Sequence, residues 1–162
     1  MVRPATAQDL AAVTALYNRF VAETAVNFDA EPFTPARRRE WFSQFGATGR
    51  YRIFAGFWDG GFAGYAASMR HKVKRGYDTT VETTIYVDPD FAGRGVGTAL
   101  YEALIGSLAG EDIRSMVAGV ALPNEASIRL HAMFGFEEVG TFHAVGRKFG
   151  RFHDVMWLER LV

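Results

Sequence analysis

One carboxylate stands out as a group that could move a proton. Glu82 lies inside Val81–Val87, VETTIYV, a run that alternates β-branched and polar residues with the period of a strand. Desolvation among valine, threonine, isoleucine and tyrosine is the condition that tunes a carboxylate to general-base work. A solvent-facing place on the same strand would give it no such task, and the residues alone leave both open. Tyr86, four residues on, projects from the same face by strand alternation. Asp88-Pro89-Asp90 then stops the ladder, and glycines recur at Gly93, Gly95 and Gly97, separated by Arg94 and Val96 and followed by Thr98. Leu100, Tyr101, Leu104, Ile105 and Leu108 continue at helical spacing. In such a strand–turn–helix unit, backbone N–H groups converge at a helix N-terminus and favour an anion such as a pyrophosphate. A flexible connector would carry the same glycines. The turn is not a Walker loop, because no lysine follows its last glycine, and its glycine spacing does not fit the dinucleotide fingerprint.

Two further places carry chemistry-bearing side chains. His131 stands beside Leu130, Ala132 and Phe134, where a histidine is either a satisfied core residue or an acid–base group. Asn124, seven residues earlier, suits a helix N-cap. The segment Arg70-His71-Lys72-Val73-Lys74-Arg75-Gly76-Tyr77 has five basic or histidine residues out of eight. It would suit a carboxylate or phosphinate on an acceptor, or simply be a solvated charge run.

These residues must be placed by a frame, and its pattern is legible. Val2–Pro4 suits a short strand, and Thr6 or Asp9 can cap a helix with a stripe of Leu10, Val13, Leu16, Tyr17, Phe20 and Val21. Glu23 to Pro35 reads as a loop. A second helix is expected from Pro35 through Phe45, with Trp41, Phe42 and Phe45 inward and Arg37 to Glu40 outward. Tyr51–Trp58 and Phe62–Met69 form a hairpin across Asp59-Gly60-Gly61. After the central strand and helix come a strand at Ser115–Ala121 and a helix from Pro123-Asn124 to Phe134, ended by Gly135. Phe136–Val145 and Phe152–Leu161 close the chain as an antiparallel pair. The expected class is α/β (α+β): a mixed, mostly antiparallel sheet of about seven strands with helices on both faces.

Composition narrows the function classes. At 162 residues, 49% apolar with 14 phenylalanines, the chain suits one packed domain over 1–162. Eighteen basic residues balance eighteen acidic ones, which gives no support to nucleic-acid or membrane-surface binding. No cysteine is present, so disulfides and thiolate chemistry are excluded, and the four histidines show no metal-ligand spacing. No apolar run approaches the ~20 residues of a membrane span, and the N-terminus lacks a signal-peptide core. A cytoplasmic location is the expectation.

The central stretch resembles the core motif of the GNAT acetyltransferases, Gln/Arg-x-x-Gly-x-Gly/Ala, with Ala92 standing at the Gln/Arg position. The order of elements fits that fold over essentially the whole chain. RPATAQDLAAVTALYN, TAVNFDAEP, TVETTIYVDP, LPNEASIRLHAMFGF and VGRKFGRFHDVMWL look like segments of the phosphinothricin and methionine sulfone/sulfoximine acetyltransferases. The resemblance implies acetyl transfer from acetyl-CoA to the amine of a small amino-acid-like acceptor, by direct attack, with no metal. It implies Glu82 as the base, with His131 and Tyr86 as further catalytic candidates. Ile85, Tyr86 and Val87 would pair with the pantetheine arm, Gly93 to Thr98 would hold the pyrophosphate, and Asn124 and Ser127 would complete the cofactor contacts. Asn27, Phe28, Thr84 and the loop residues Lys72, Lys74, Arg75, Gly76 and Tyr77 would border the acceptor. The sulfone/sulfoximine enzymes carry Trp-Arg where this chain has His71-Lys72. A homodimer is implied as well. Other readings are a GNAT enzyme for a protein N-terminus, polyamine or aminoglycoside, which the basic loop disfavours, and a non-catalytic CoA-binding module.

Overall fold

The computed structural model describes residues 1–162. Its strands are β1 (Val2–Pro4), β2 (Arg52–Trp58), β3 (Gly61–Arg70), β4 (Thr80–Val87), β5 (Ser115–Ala121), β6 (Glu137–Lys148) and β7 (Arg151–Leu161). The helices are α1 (Leu10–Glu23), α2 (Pro35–Phe42), α3 (Val96–Ser107) and α4 (Glu125–Met133). One seven-stranded sheet runs in the order β1-β2-β3-β4-β5-β7-β6, and only the β4–β5 pair is parallel. This is the mixed, mostly antiparallel sheet expected from the pattern.

The two sheet faces are covered differently. Leu100, Tyr101 and Leu104 of α3, with Leu108 just past its end, are fully buried against Ala63, Val81, Met116 and Ala118. Burying each such leucine contributes on the order of 2 kcal/mol. On the other face, Val13 and Leu16 of α1 pack on Ile53, Tyr65 and Ala67, and Trp41 of α2 joins them. Thr34 caps α2, its hydroxyl accepting the Arg37 N–H at 3.2 Å, and Pro35 occupies the first turn.

Three expectations change. α2 ends at Phe42, and Phe45 reaches the core from a following turn, its ring 4.9 Å from that of Trp41. Arg38 is not outward: it is 6% exposed, on the inward face shared with Trp41 three residues later. β6 extends past Val145 to Lys148, whose ammonium donates to the Asn27 carbonyl at 3.1 Å and so pins the loop after α1.

Candidate active site

The site is opened by a parting of strands. β4 pairs with β5 only at Thr80–Ser115, Val81–Met116 and Glu82–Val117. Beyond Glu82 the two strands diverge, and the β4 edge facing β5 is left without a ladder. A cavity of about 680 Å³ fills this gap, lined by Thr83 to Val87 on one side and Ala118 to Ala121 on the other. Its far end is floored by Gly93, Gly95, Val96, Gly97 and Thr98 at the start of α3. Gly93 and Gly95 have φ of +72° and +79°, the left-handed region that side chains disfavour, and no atom lies within 4 Å of where their Cβ atoms would be. A side chain there would fill the open cradle, and the first N–H groups of α3 face it without a side-chain cap.

A second cavity, about 570 Å³, adjoins the first and shares Val26, Thr83, Thr84, Tyr86, Gly119 and Ala121 with it. Glu82 stands in its wall. The Glu82 carboxylate accepts from His71 Nδ1 at 3.2 Å, and the His71 ring packs edge-on to Trp157, 5.8 Å between centroids. Tyr86 stacks on Tyr65 at 5.3 Å and meets Tyr17 edge-on at 5.2 Å. Burial pushes the Tyr86 hydroxyl above its ordinary value, partly offset by the neighbouring Asn27 and Thr84 side chains, so it stays a neutral phenol.

α4 closes the gap between β4 and β5. Asn124 caps this helix, its Oδ1 accepting the Ser127 N–H at 3.2 Å, while its Nδ2 makes no hydrogen bond within the protein. His131 is 3% exposed. Its Nδ1 donates to the Ser127 carbonyl at 2.7 Å, which leaves Nε2 to accept from the Tyr101 hydroxyl at 2.7 Å. Burial holds the imidazole below the ordinary histidine value, with the Ser127 bond partly opposing. His131 is therefore neutral in the fold and easier to protonate once unfolded. Its contribution to stability is complete above about pH 6.5 and is lost as the pH falls toward its folded value. Urea unfolding of wild type and His131→Gln between about pH 7 and 5 should show the steeper acid-side loss in wild type. Parallel curves would contradict this account.

The arrangement, a glycine-floored cleft meeting a carboxylate-bearing pocket at a break between parallel strands, can hold an extended phosphorylated group against an amine. Residues 2–157 match the family model described as "Acetyltransferase (GNAT) domain". The chain belongs to the GNAT acetyltransferase family. It is 50% identical over 161 residues to a phosphinothricin N-acetyltransferase of Streptomyces coelicolor, covering 98% of this chain and 94% of that one. It is 34% identical over 158 residues to an L-methionine sulfoximine/L-methionine sulfone acetyltransferase of Pseudomonas paraeruginosa, covering 98% and 92%. Among solved structures, a GNAT superfamily phosphinothricin acetyltransferase from Sinorhizobium meliloti in complex with AcCoA superposes with a TM-score of 0.93 at 30% identity, covering 100% of this chain and 88% of that one.

Within the GNAT fold, most of the residues singled out in the sequence converge. Ile85, Tyr86, Val87, Gly93, Gly95, Val96, Gly97, Thr98, Asn124, Ser127 and His131 line the first cavity, and Glu82, Thr84, Tyr86 and Phe28 line the second. Arg94 does not join them: its guanidinium turns to Asp59 in the β2–β3 hairpin at 2.7 Å. Lys72, Lys74, Arg75, Gly76 and Tyr77 lie exposed, the last three on a 3-10 turn, and none of them lines either cavity; the Arg70–Asp78 pair at 3.2 Å spans the loop. Asn27 is set back as well, its Oδ1 accepting from Lys148 at 3.3 Å. In place of the loop, Arg38 and Trp41 of α2 with Tyr17 and Tyr65 build the pocket wall. Sequence reasoning did not single out these four, and it named His71 only within the basic loop, not as a partner of Glu82. The signal for Arg38 was its i,i+3 relation to Trp41, which places the two on one helix face.

Proposed function

We propose that the protein is an acetyl-CoA-dependent N-acetyltransferase, one domain over 1–162, acting on the amine of a small amino-acid-like acceptor of the phosphinothricin or methionine sulfone/sulfoximine type. The observation that carries this reading is the meeting of the two cavities at Thr84 and Tyr86, with Glu82 in the wall of the second. Acetyl-CoA would supply the thioester-activated acetyl group, with its pyrophosphate held by Gly93 to Thr98 and its arm along Ile85 to Val87. The open cradle at Gly93 and Gly95 fits that assignment.

The chain's own residues then have defined tasks. An amine acceptor enters largely as ammonium near neutral pH and must lose a proton before it can attack. Glu82 accepts that proton, and the His71 Nδ1–H on Glu82 Oε2 orients the carboxylate. Free N–H groups along the β4 edge polarise the carbonyl under attack. Asn124 keeps α4 seated beside the cleft. His131, neutral and bonded at both nitrogens, supports α4 and Tyr101 in our reading. No nucleophile is placed for an acyl-enzyme, so transfer is direct within a ternary complex.

A homodimer is supported by Val139, Phe142, Val145, Phe149 and Phe152, apolar residues of β6, the turn after it and β7 that are each at least 58% exposed. Phe142 and Val145 also line the second cavity, so this face adjoins it. Sedimentation should give twice the monomer mass, and Phe142→Lys should return it to one. A cytoplasmic site of action fits a CoA thioester as co-substrate, and no helix is long and apolar enough to cross a membrane.

The experiment is CoA release from acetyl-CoA with phosphinothricin, methionine sulfone, methionine sulfoximine, spermidine, an aminoglycoside and a short peptide. Turnover confined to the first three supports the reading. Turnover on spermidine or peptide instead refutes the acceptor assignment, and silence throughout with acetyl-CoA bound refutes the activity.

A further inference from the structure

Arg38 is a buried cation without an ion pair. It is 6% exposed, yet Nε and Nη2 are sealed from solvent with no hydrogen-bond partner, and it takes part in no salt bridge. Its guanidinium carbon lies 3.8 Å from the Trp41 ring centroid and 4.2 Å from that of Tyr17. Stacking of this kind stabilises the charge through the flat faces of the guanidinium but gives Nε and Nη2 no acceptor. The nearby acids are committed elsewhere: Asp29 accepts the Tyr17 hydroxyl, and Glu82 accepts from His71. A buried charge left this way is costly unless something in the working protein meets it.

The pocket supplies the second observation. Of all the side chains lining the 570 Å³ cavity, only two are charged, Arg38 and Glu82, one cation and one anion in an otherwise apolar and hydroxyl-bearing wall. That pairing complements a zwitterion. We propose that the Arg38 guanidinium reads the acceptor's oxyanion by charge-assisted hydrogen bonding while the ammonium of the same molecule faces Glu82. This rests on the acetyltransferase reading above and deepens it: the acceptor must carry an acid group as well as an amine. Specificity of this kind excludes polyamines, because a bound cation would leave Arg38 buried, unpaired and repelled. Two groups could present the oxyanion, the α-carboxylate or a side-chain phosphinate.

The test compares wild type, Arg38→Gln and Arg38→Lys on phosphinothricin, which carries both anions, on methionine sulfone, with only the carboxylate charged, and on phosphinothricin α-carboxamide, with only the phosphinate. Arg38→Gln should lower kcat/KM about 10- to 100-fold, mostly through KM, on the acceptors bearing the anion that Arg38 binds, and little on the third. Loss on phosphinothricin and methionine sulfone identifies the carboxylate; loss on phosphinothricin and its carboxamide identifies the phosphinate. Arg38→Lys keeps the charge without the planar guanidinium and should recover only part of the loss. Acetyl-CoA affinity should be unchanged, and the unliganded Arg38→Gln protein should melt at or above wild type, since an unpaired buried charge is gone. An equal loss on all three acceptors, or no loss, overturns the proposal. If wild type binds acetyl-CoA but acetylates none of them, the catalytic reading falls and thermal shift decides the inference separately. Stabilisation of wild type but not Arg38→Gln by phosphinothricin upholds it, and no difference overturns it.

Discussion

Replacement of Glu82 by glutamine should lower kcat by about 10²- to 10⁴-fold, the range for removing a positioned general base. The change is nearly isosteric, and the amide oxygen can still accept from His71 Nδ1, so the pocket wall should keep its shape. What is lost is the ability to take the ammonium proton. Glu82 sits at the last paired residue of β4 before the strands part, so it faces the acceptor pocket without lying in the floor of the cofactor cleft. Acetyl-CoA affinity, measured by calorimetry, should therefore match wild type. The defect should also narrow as the pH is raised past the amine's own pKa, because the free base then exists without help. A loss below about threefold across the pH range would remove Glu82 from the mechanism.

The second large effect concerns stability. A Cβ added at Gly64 would lie 2.5 Å from the Tyr86 carbonyl oxygen, 3.1 Å from Val87 Cα and 3.3 Å from Leu100 Cδ1. Two of these are backbone atoms of the strand hydrogen-bonded to it, where Gly64 is paired with Val87, so neither can swing away. Gly64→Ala should cost about 3 kcal/mol and lower Tm by roughly 6 to 12 °C. Gly56 provides the control. Its added Cβ would meet only the Leu100 side chain, at 3.3 Å and beyond, and a leucine can adjust. Gly56→Ala should therefore cost less. The functional consequence follows from Leu100, which seats α3 on these two glycines. A displaced Leu100 moves the N-terminus of α3, and acetyl-CoA should bind more weakly to folded Gly64→Ala. Equal melting temperatures for Gly64→Ala and wild type would show that the β3–β4 seam yields more easily than its register implies.

Local pattern determined much of this protein in advance. Alternation in Val81–Val87, the glycines at 93 and 95 and the helical spacing of Leu100, Leu104 and Leu108 each depend on residues within a few positions of one another. Backbone sterics and the apolar period act at that range, so the strand, the cradle and the buried stripe were legible. Glu82 stood out as a charge in its strand for the same reason, but local pattern left its task open, and only the resemblance pointed to a base. The length of β6 and the end of α2 were not, because tertiary contacts outweigh local propensity at element ends.

What only the tertiary structure decided are the relations between elements far apart in the chain. The parting of β4 from β5 after Glu82 is a property of two strands some thirty residues apart, and no local period encodes it. The hydrogen bond between Tyr101 and His131 joins α3 to α4, and burial between them holds the imidazole below its ordinary value. Charge by itself does not say which cations are buried, because burial is set by what other elements pack against them. The loop Lys72–Arg75 is rich in charge and lies outside the pocket, whereas Arg38, in a run of three arginines, is the one turned inward. Its burial is set by Tyr17 and Trp41, from two helices, and by the cavity they enclose.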